Sequence, residues 1–460
     1  MKTANSFCAN ILLLFFLVAF LFYNCSGGDS GGLDDSPNTQ TQINVSDSPM
    51  SFGEVFILTN SVSQSLPVSG SNLSAPIDVT VSGPYEISTD NSNFSSALQV
   101  SASTEPGNEA LVYVRFNPTT TGLVVGELIF QSLGVPTVSI TLTGTGKSVV
   151  HNYTVFNQQA LGFGDGFSQS ATQLVNLHDD LSFIQEIKMF LQIDCPITGC
   201  DDWDRFANIS VKDPATGNWY EIGRYITPYW VGTQQLERGL EFDVTDFKSL
   251  LSGPTELRIY IENWTTKADL ISVDFDYIEG TPDYSNYAVS EVLGYHSNSI
   301  SGVPYGVSHD FDLDKSIEIP LNTESAHLRT IISGWGHAMP YDTSPGTTSW
   351  GCAEWCIRTH NVLINGNTAF QHYMGPIGCA SNPINNQSPG NWTPDRAGWC
   401  PGMTVPVRSN SLNLENTNFS FEYDFQDWTN NGGNGNAFYA TSVYVIVKSN
   451  TTILAPTVLD

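Results

Sequence analysis

The chain has 460 residues, with 46 Asp plus Glu against 17 Lys plus Arg and a formal net charge of −29. That excess of negative charge argues against nucleic acid or an anionic membrane surface as an electrostatic partner. A hydrophobic fraction of 40%, with 12% aromatic residues, is ample for packed cores, and the length suggests about three domains at ~100–200 residues each.

Residues 1–25 read as an export signal. Lys2 gives a weak positive start, and Ile11 to Phe22 is an unbroken apolar run, too short to span a bilayer and the right length for a signal core. The run leads to Cys25 and then Ser-Gly-Gly-Asp-Ser-Gly-Gly. A cysteine opening a flexible tether is similar to the bacterial lipoprotein pattern, in which that cysteine is lipidated and becomes the mature N-terminus. Phe22-Tyr23-Asn24 are bulkier than the residues usual there, so an ordinary cleaved signal or a signal anchor stays open. The expected location is an outer membrane or cell surface by a lipid anchor, otherwise the periplasm or the medium. Residues 26–42, rich in Gly, Ser, Asp and Thr, read as a flexible linker.

From 43 to 147 the pattern predicts a compact immunoglobulin-like β-sandwich. Short β-rich runs such as Ile77-Asp-Val-Thr-Val81, Ala110-Leu-Val-Tyr-Val-Arg-Phe116 and Val138-Ser-Ile-Thr-Leu-Thr143 are separated by Gly, Pro and Asn/Ser turns, the spacing expected of a sandwich. The segments Ser71-Asn-Leu-Ser-Ala-Pro76, Tyr85-Glu-Ile-Ser-Thr-Asp-Asn91, Arg115-Phe-Asn-Pro-Thr119 and Leu142-Thr-Gly-Thr-Gly146 resemble Hydin-type modules of bacterial surface proteins. The resemblance implies a spacer or adhesive role, and no acid/base cluster lies in the segment.

The remainder, from His151, is also nearly all β. Ile259 and Ile261 alternate with Tyr260 and Glu262, Phe419, Phe421, Tyr423 and Phe425 alternate with polar residues, and Val443, Val445 and Val447 share one face. Only Asp246 to Leu251 looks helical. So many antiparallel strands exceed one ordinary sandwich. The expectation is therefore an all-β chain whose catalytic part is two packed antiparallel jelly rolls, 151–283 and 286–460, divided near Gly280 to Ser285.

Beyond Cys8 and Cys25, six cysteines fall into three sequence-near pairs: Cys195 and Cys200, Cys352 and Cys356, Cys379 and Cys400. In an oxidising compartment nearest-neighbour bridging is the natural expectation among 15 pairings. A zinc site is the rival, but no His stands at finger spacing, so no metal or other cofactor is expected.

Two of these pairs close small loops beside a carboxylate. The first runs into Asp201-Asp-Trp-Asp-Arg205, and the second encloses Glu354 in Gly351-Cys-Ala-Glu-Trp-Cys356. A short closed loop gives an acid a fixed direction, which acid/base chemistry and sugar recognition both need. A third acid, Glu262, lies on the strand Glu256 to Trp264. There Leu257, Ile259 and Ile261 should face the core, while Arg258, Tyr260, Glu262 and Trp264 share the other face. That second face is either a plain solvated face or the wall of a sugar cleft.

At this point the motifs carry a specific resemblance. Phe163-Gly-Asp-Gly-Phe-Ser-Gln-Ser170, Cys200-Asp-Asp-Trp-Asp-Arg205, Trp219-Tyr-Glu-Ile-Gly-Arg224, Ile226-Thr-Pro-Tyr-Trp-Val-Gly-Thr233 and Asp243-Val-Thr-Asp-Phe-Lys-Ser-Leu-Leu-Ser-Gly253 resemble the peptide:N-glycosidase F family. So do Ser333-Gly-Trp-Gly-His-Ala338, the loop around Glu354, Asn382-Pro-Ile-Asn-Asn-Gln-Ser-Pro-Gly-Asn391 and Pro394-Asp-Arg-Ala-Gly-Trp-Cys-Pro-Gly-Met403. The likeness runs in order through 151–460. It implies an exported amidase of two side-by-side jelly rolls that frees N-linked glycans from Asn. The family's essential aspartate falls on Asp204 and its two supporting glutamates on Glu262 and Glu354. Its sugar-contacting groups fall on Asp201, Arg205, Trp264, Trp335 and Arg396. Asp202 stands where a glutamate is more usual, and residues 343–350 look longer than the family's turn.

Water must attack the Asn side-chain carbonyl and the departing glycosylamine must be protonated, tasks that carboxylates can perform. Two carboxylates flanking a sugar equally describe a glycoside hydrolase. The residues alone do not choose the bond; the resemblance does. A cysteine nucleophile fits poorly because the six exported cysteines are expected in disulfides, and no nucleophile elbow marks a serine mechanism. His337 and His360 read as hydrogen-bonding or packing residues. For Trp203, Trp355 and Trp399 packing is at least as good a reading as sugar stacking. The expected partners are N-linked glycoproteins and glycopeptides, engaged by a monomer with no nucleic acid. The reading from another class is a non-catalytic N-glycan-binding surface lipoprotein.

Overall fold

A computed structural model describes residues 40–101, 109–229, 236–295, 302–305, 313–341, 351–387, 392–426 and 437–460, with backbone only for 338–341. The export signal, Cys25 and the stretch 343–350 lie outside the described residues.

The described chain is all-β, as its alternating patterns require, with two short 3-10 turns at Thr245–Leu250 and Cys379–Ser381. Residues 42–147 form a four-stranded and a five-stranded sheet. Their inward positions, including Ile77, Val79, Val112, Val114, Leu128, Phe130, Ile140 and Leu142, build one core. Tyr85 and Phe116 stack at 4.8 Å inside it. Gly126 and Gly144 make room for this pair, because a Cβ there would lie 2.8 and 2.6 Å from the two rings.

The next sandwich faces two four-stranded sheets. One orders Val150–Leu161, Asp269–Glu279, Ile184–Asp194 and Leu240–Asp243; the other orders Ser170–Asn176, Pro254–Ile261, Phe206–Lys212 and Trp219–Ile226. All neighbours are antiparallel, with Leu161 opposite Asp269, Asp194 opposite Leu270, Ala207 opposite Ile261 and Phe206 opposite Ile226. The connections 162–169, 195–205 and 262–268, with residues 227–229, therefore emerge at one end. The opposite end receives the chain from the N-terminal sandwich, where Val150 pairs with Ile278.

The last sandwich opposes a sheet ordered Asn286–Leu293, Phe438–Ser449, Ser325–Trp335 and Val407–Ser411 to one ordered Asn367–Met374, Arg358–Ile364, Asn418–Asp424, Leu313–Glu318 and Thr457–Leu459. Val443, Val445 and Val447 enter its own core. Tyr444 and Ile446, on the reverse face of the same strand, enter the core of the preceding sandwich. A sheet buried on both faces has lost the polar alternation of a solvated sheet, which accounts for the run Val443-Tyr-Val-Ile-Val447. Buried polar groups fix the two sandwiches in register. Arg224 forms a two-pronged ion pair with Glu221 at 2.6–2.8 Å and donates across the junction to Ser333 Oγ and the Ala440 carbonyl. Elsewhere along the junction Asp246 meets His327 and Arg329.

Candidate active site

The connections at one end of the middle sandwich carry its candidate site residues. The Cys195–Cys200 bridge closes a loop whose turn is set by the Gly199 amide donating to the Pro196 carbonyl, with Gly199 at a φ of +87°. Downstream, Thr227 pins the segment around Asp204 twice: its Oγ1 accepts the Arg205 amide at 2.8 Å and donates to the Trp203 carbonyl at 3.2 Å. Asp204 is thus held by backbone contacts on both sides, which is how a strand-end carboxylate is given a direction.

Glu354 comes from the other sandwich, inside the Cys352–Cys356 loop. Its amide donates to Gly336 and its carbonyl accepts the Ala397 amide at 2.8 Å, tying this loop to the segment that carries Arg396. The third bridge, Cys379–Cys400, and the Asp395 carboxylate, which accepts the Gly378 and Cys379 amides, brace that segment from behind.

Arg396 joins the two acids. Its guanidinium is buried and lies 3.2 Å from Asp204 Oδ2 and 3.6 Å from Glu354 Oε1. Trp355 and Trp399, both buried, flank it at 4.5 and 5.1 Å. Tyr229, whose position the Gln387 carboxamide sets through the Tyr229 amide, accepts from Arg396 at 3.3 Å and hydrogen-bonds Asp204. Burial raises the Asp204 pKa, while Arg396 and Tyr229 oppose the rise. Glu354 is pushed up to about 8 by burial and then by the Asp204 charge, with Arg396 opposing. Two like charges sharing one cation in a desolvated site separate in acidity. Asp204, with the shorter contact to Arg396 and the Tyr229 hydrogen bond, is the member that ionises, and Glu354 holds its proton near neutrality. His337 lies 3.6 Å from Glu354 Oε2, its pKa lowered by burial and by Arg396.

The other expected residues form a flank to this centre. Asp201, buried, accepts from Arg205 Nε at 2.6 Å. Glu262 follows the strand Pro254–Ile261, and its amide donates to the Phe206 carbonyl. Asn263 organises the turn after it by donating to the Lys267 carbonyl and to Asp269, and by accepting from Thr265. Asp269 is fully buried and pushed up to about 7, chiefly by that burial. Trp264 is half-exposed and packs against Phe163. Trp335 stacks on Trp399 at 4.6 Å and donates to Ser333 Oγ, the group that also accepts from Arg224.

Asp204, Glu354 and Arg396 thus meet directly, and Asp201 with Arg205 forms an adjoining pair. Trp335 borders them by its stack on Trp399, while Glu262 and Trp264 lie on the connection 262–268, where the Glu262 amide bonds to Phe206. One expectation needs correction in detail. The face shared by Tyr260 and Glu262 is neither simply solvated nor simply a cleft wall: Tyr260 is buried in an aromatic group with Phe206 and Tyr295, and Trp335 packs against it. Among the tryptophans, Trp355 and Trp399 are packing residues, whereas Trp203 is 59% exposed. His360 is buried, accepts the Gln426 amide and has its pKa lowered to about 3, so it stays neutral away from the acids. Tyr229 and Thr227 carry no mark of chemistry in the sequence, although both stand in the run from Ile226 to Thr233; nothing in a lone Tyr or Thr shows that it will meet an aspartate.

Comparison with known proteins bears on this arrangement. Residues 306–446 match the family model described as peptide-N-glycosidase F, C terminal. The peptide-N(4)-(N-acetyl-beta-D-glucosaminyl)asparagine amidase F of Elizabethkingia miricola is 59% identical over 311 residues, covering 67% of this chain and 87% of that protein. The chain belongs to the peptide-N-glycosidase F family. The solved structure of PNGase F from Flavobacterium meningosepticum, described as a glycosylasparaginase, is 58% identical and covers 68% of this chain and all of its own, with a TM-score of 0.65. PNGF-II, 13% identical with a TM-score of 0.50 over 83% of this chain, supports the fold alone. The peptide-N-glycosidase F likeness accounts for about two thirds of the chain, the share the two jelly rolls occupy.

Proposed function

We propose that the protein is an exported amidase that hydrolyses the glycosylated Asn side chain of N-glycoproteins, releasing the intact glycan as a glycosylamine and leaving Asp. The observation that carries this reading is the pair Asp204 and Glu354, one from each sandwich, on the single buried guanidinium of Arg396 in a member of this family.

Asp204 takes a proton from water as its oxygen bonds to the side-chain carbonyl carbon, and gives that proton to the nitrogen as the C–N bond breaks. The carboxyl of Glu354, neutral at working pH, orients the water and the first sugar together with Glu262. Arg396 and Tyr229 hold Asp204 in its ionised form. Asp201, Arg205, Trp264, Trp335 and Arg396 contact the glycan, aromatic faces serving the ring and charged hydrogen bonds its hydroxyls. Incubation with a denatured N-glycoprotein should convert glycosylated Asn to Asp by peptide mass spectrometry. Asn still bearing one GlcNAc would identify an endoglycosidase instead. Asp204→Asn should abolish turnover while glycopeptide binding persists, and full activity in that variant refutes the assignment.

The same proposal places the enzyme on a lipid anchor at Cys25, with the Hydin-like N-terminal sandwich as a spacer. The junction to that sandwich and the acids lie at opposite ends of the first jelly roll, which favours a spacer over a substrate-gating role. Metabolic fatty-acid labelling should mark the native protein and not Cys25→Ala; equal labelling of both rules out the anchor.

A further inference from the structure

The turn Phe163-Gly-Asp-Gly-Phe167 exposes two aromatic rings that a folded chain ordinarily buries. Phe163 is 48% and Phe167 39% exposed, beside Trp264 at 46%. Phe163 and Trp264 have ring centroids 5.0 Å apart. This is a built feature, not a frayed loop. Gly164, Asp165 and Gly166 all take positive φ, at 77°, 49° and 87°, a run that glycine permits and other residues resist. The Phe163 amide donates to the Thr265 carbonyl at 2.8 Å, which ties Phe163 to the turn that bears Trp264, and the Phe167 amide donates to the Gly164 carbonyl at 2.9 Å, which closes the Phe163–Phe167 turn itself.

Its surroundings narrow the ligand. Across the neighbouring connections Lys267 pairs with Asp202 at 2.7 Å, both partly exposed, and Asp165 sits in the turn itself. Aromatic faces edged by carboxylates and an ammonium suit a sugar, whose C–H face stacks while its hydroxyls hydrogen-bond. A peptide strand would need free backbone donors, and those of Phe163 and Phe167 are already used. The N-terminal sandwich joins at the other end of the 12-residue strand Val150–Leu161, roughly 40 Å away at strand rise.

We propose that the Phe163–Phe167 turn, continuous with Trp264, is a second carbohydrate platform that engages glycan sugars beyond those nearest the asparagine. It rests on the amidase reading, since Trp264, which that reading places on the glycan, is the ring against which Phe163 packs. Its effect is on affinity for long glycans, not on the chemical step.

The test uses glycopeptides of one peptide sequence carrying either the two innermost sugars or the complete branched glycan. Phe163→Ala with Phe167→Ala should raise KM for the complete glycan by about tenfold, the scale of losing well-placed aromatic contacts, with kcat unchanged and the short substrate unaffected. Phe163→Trp, which keeps a ring, should preserve the native ratio. If the double variant melts below assay temperature, Phe163→Leu, which keeps packing against Trp264 and removes the aromatic face, carries the same comparison. Equal KM rises on both substrates, no rise on either, or a rise that follows peptide length overturns the proposal. Turnover of the short glycopeptide by the unaltered protein tests the amidase reading separately.

Discussion

At the scale of single residues, the proposed chemistry turns on an unequal division of charge between two acids. Glu354 is the more weakly anchored to Arg396, at 3.6 Å against 3.2 Å for Asp204, and burial with the Asp204 charge holds its pKa at about 8. A pKa raised in the folded state means that the neutral acid is favoured there, so the working form of Glu354 is present below pH 8 and lost above it. We expect kcat/KM to fall above pH about 8 as a second negative charge forms beside Asp204. Glu354→Gln cannot ionise. It should lower the rate and remove the alkaline fall, and an alkaline limb that survives in this variant sinks the assignment. The same sign applies to folding: the contribution of Glu354 to stability is complete below its unfolded value near 4.5 and declines as pH rises through about 8.

At the scale of elements, the small disulfide loops act as brackets. The Cys352–Cys356 loop closes only four residues of separation, so its loss should cost about 2 kcal/mol in chain-entropy terms. The consequence for catalysis should be larger, because Glu354 lies within it and displacements of about 1 Å in a reacting group can cost 100-fold. Cys352→Ala with Cys356→Ala should therefore lower kcat by about tenfold or more while leaving the fold intact by circular dichroism. A variant with native kcat would show that backbone pairing to Gly336 and Ala397 suffices. Brackets of this kind were legible in the sequence as cysteine spacing next to acids. The 3-10 turn at Thr245–Leu250 was legible too, one residue ahead of where the pattern put it.

At the scale of the molecule, the centre exists only where two sandwiches meet. Arg224 and Glu221 are buried there, hydrogen-bonded to Ser333, Ser442 and the Ala440 carbonyl. Removing one member of such a pair leaves an uncompensated buried charge and costs about 3–5 kcal/mol, whereas replacing both with apolar groups can be nearly neutral. Arg224→Met should accordingly destabilise by that amount in urea unfolding and lower activity, since Ser333 also positions Trp335. Adding Glu221→Leu should recover much of the loss. A single variant within about 1 kcal/mol of native stability would falsify the role of this pair.

What the sequence determined by itself was the class of fold and the list of groups. Alternating apolar positions specify strands because side chains alternate across a strand, and ordered motifs around Asp204, Glu262 and Glu354 specify a family. What it did not contain were the distances between segments far apart in the chain. That Arg396 would stand between Asp204 and Glu354, that Tyr229 would reach Asp204, and that Tyr260 would be sealed under an aromatic group are consequences of packing one sandwich on another. The unequal acidity of the two carboxylates is likewise tertiary, because desolvation and a shared cation exist only once the halves have met.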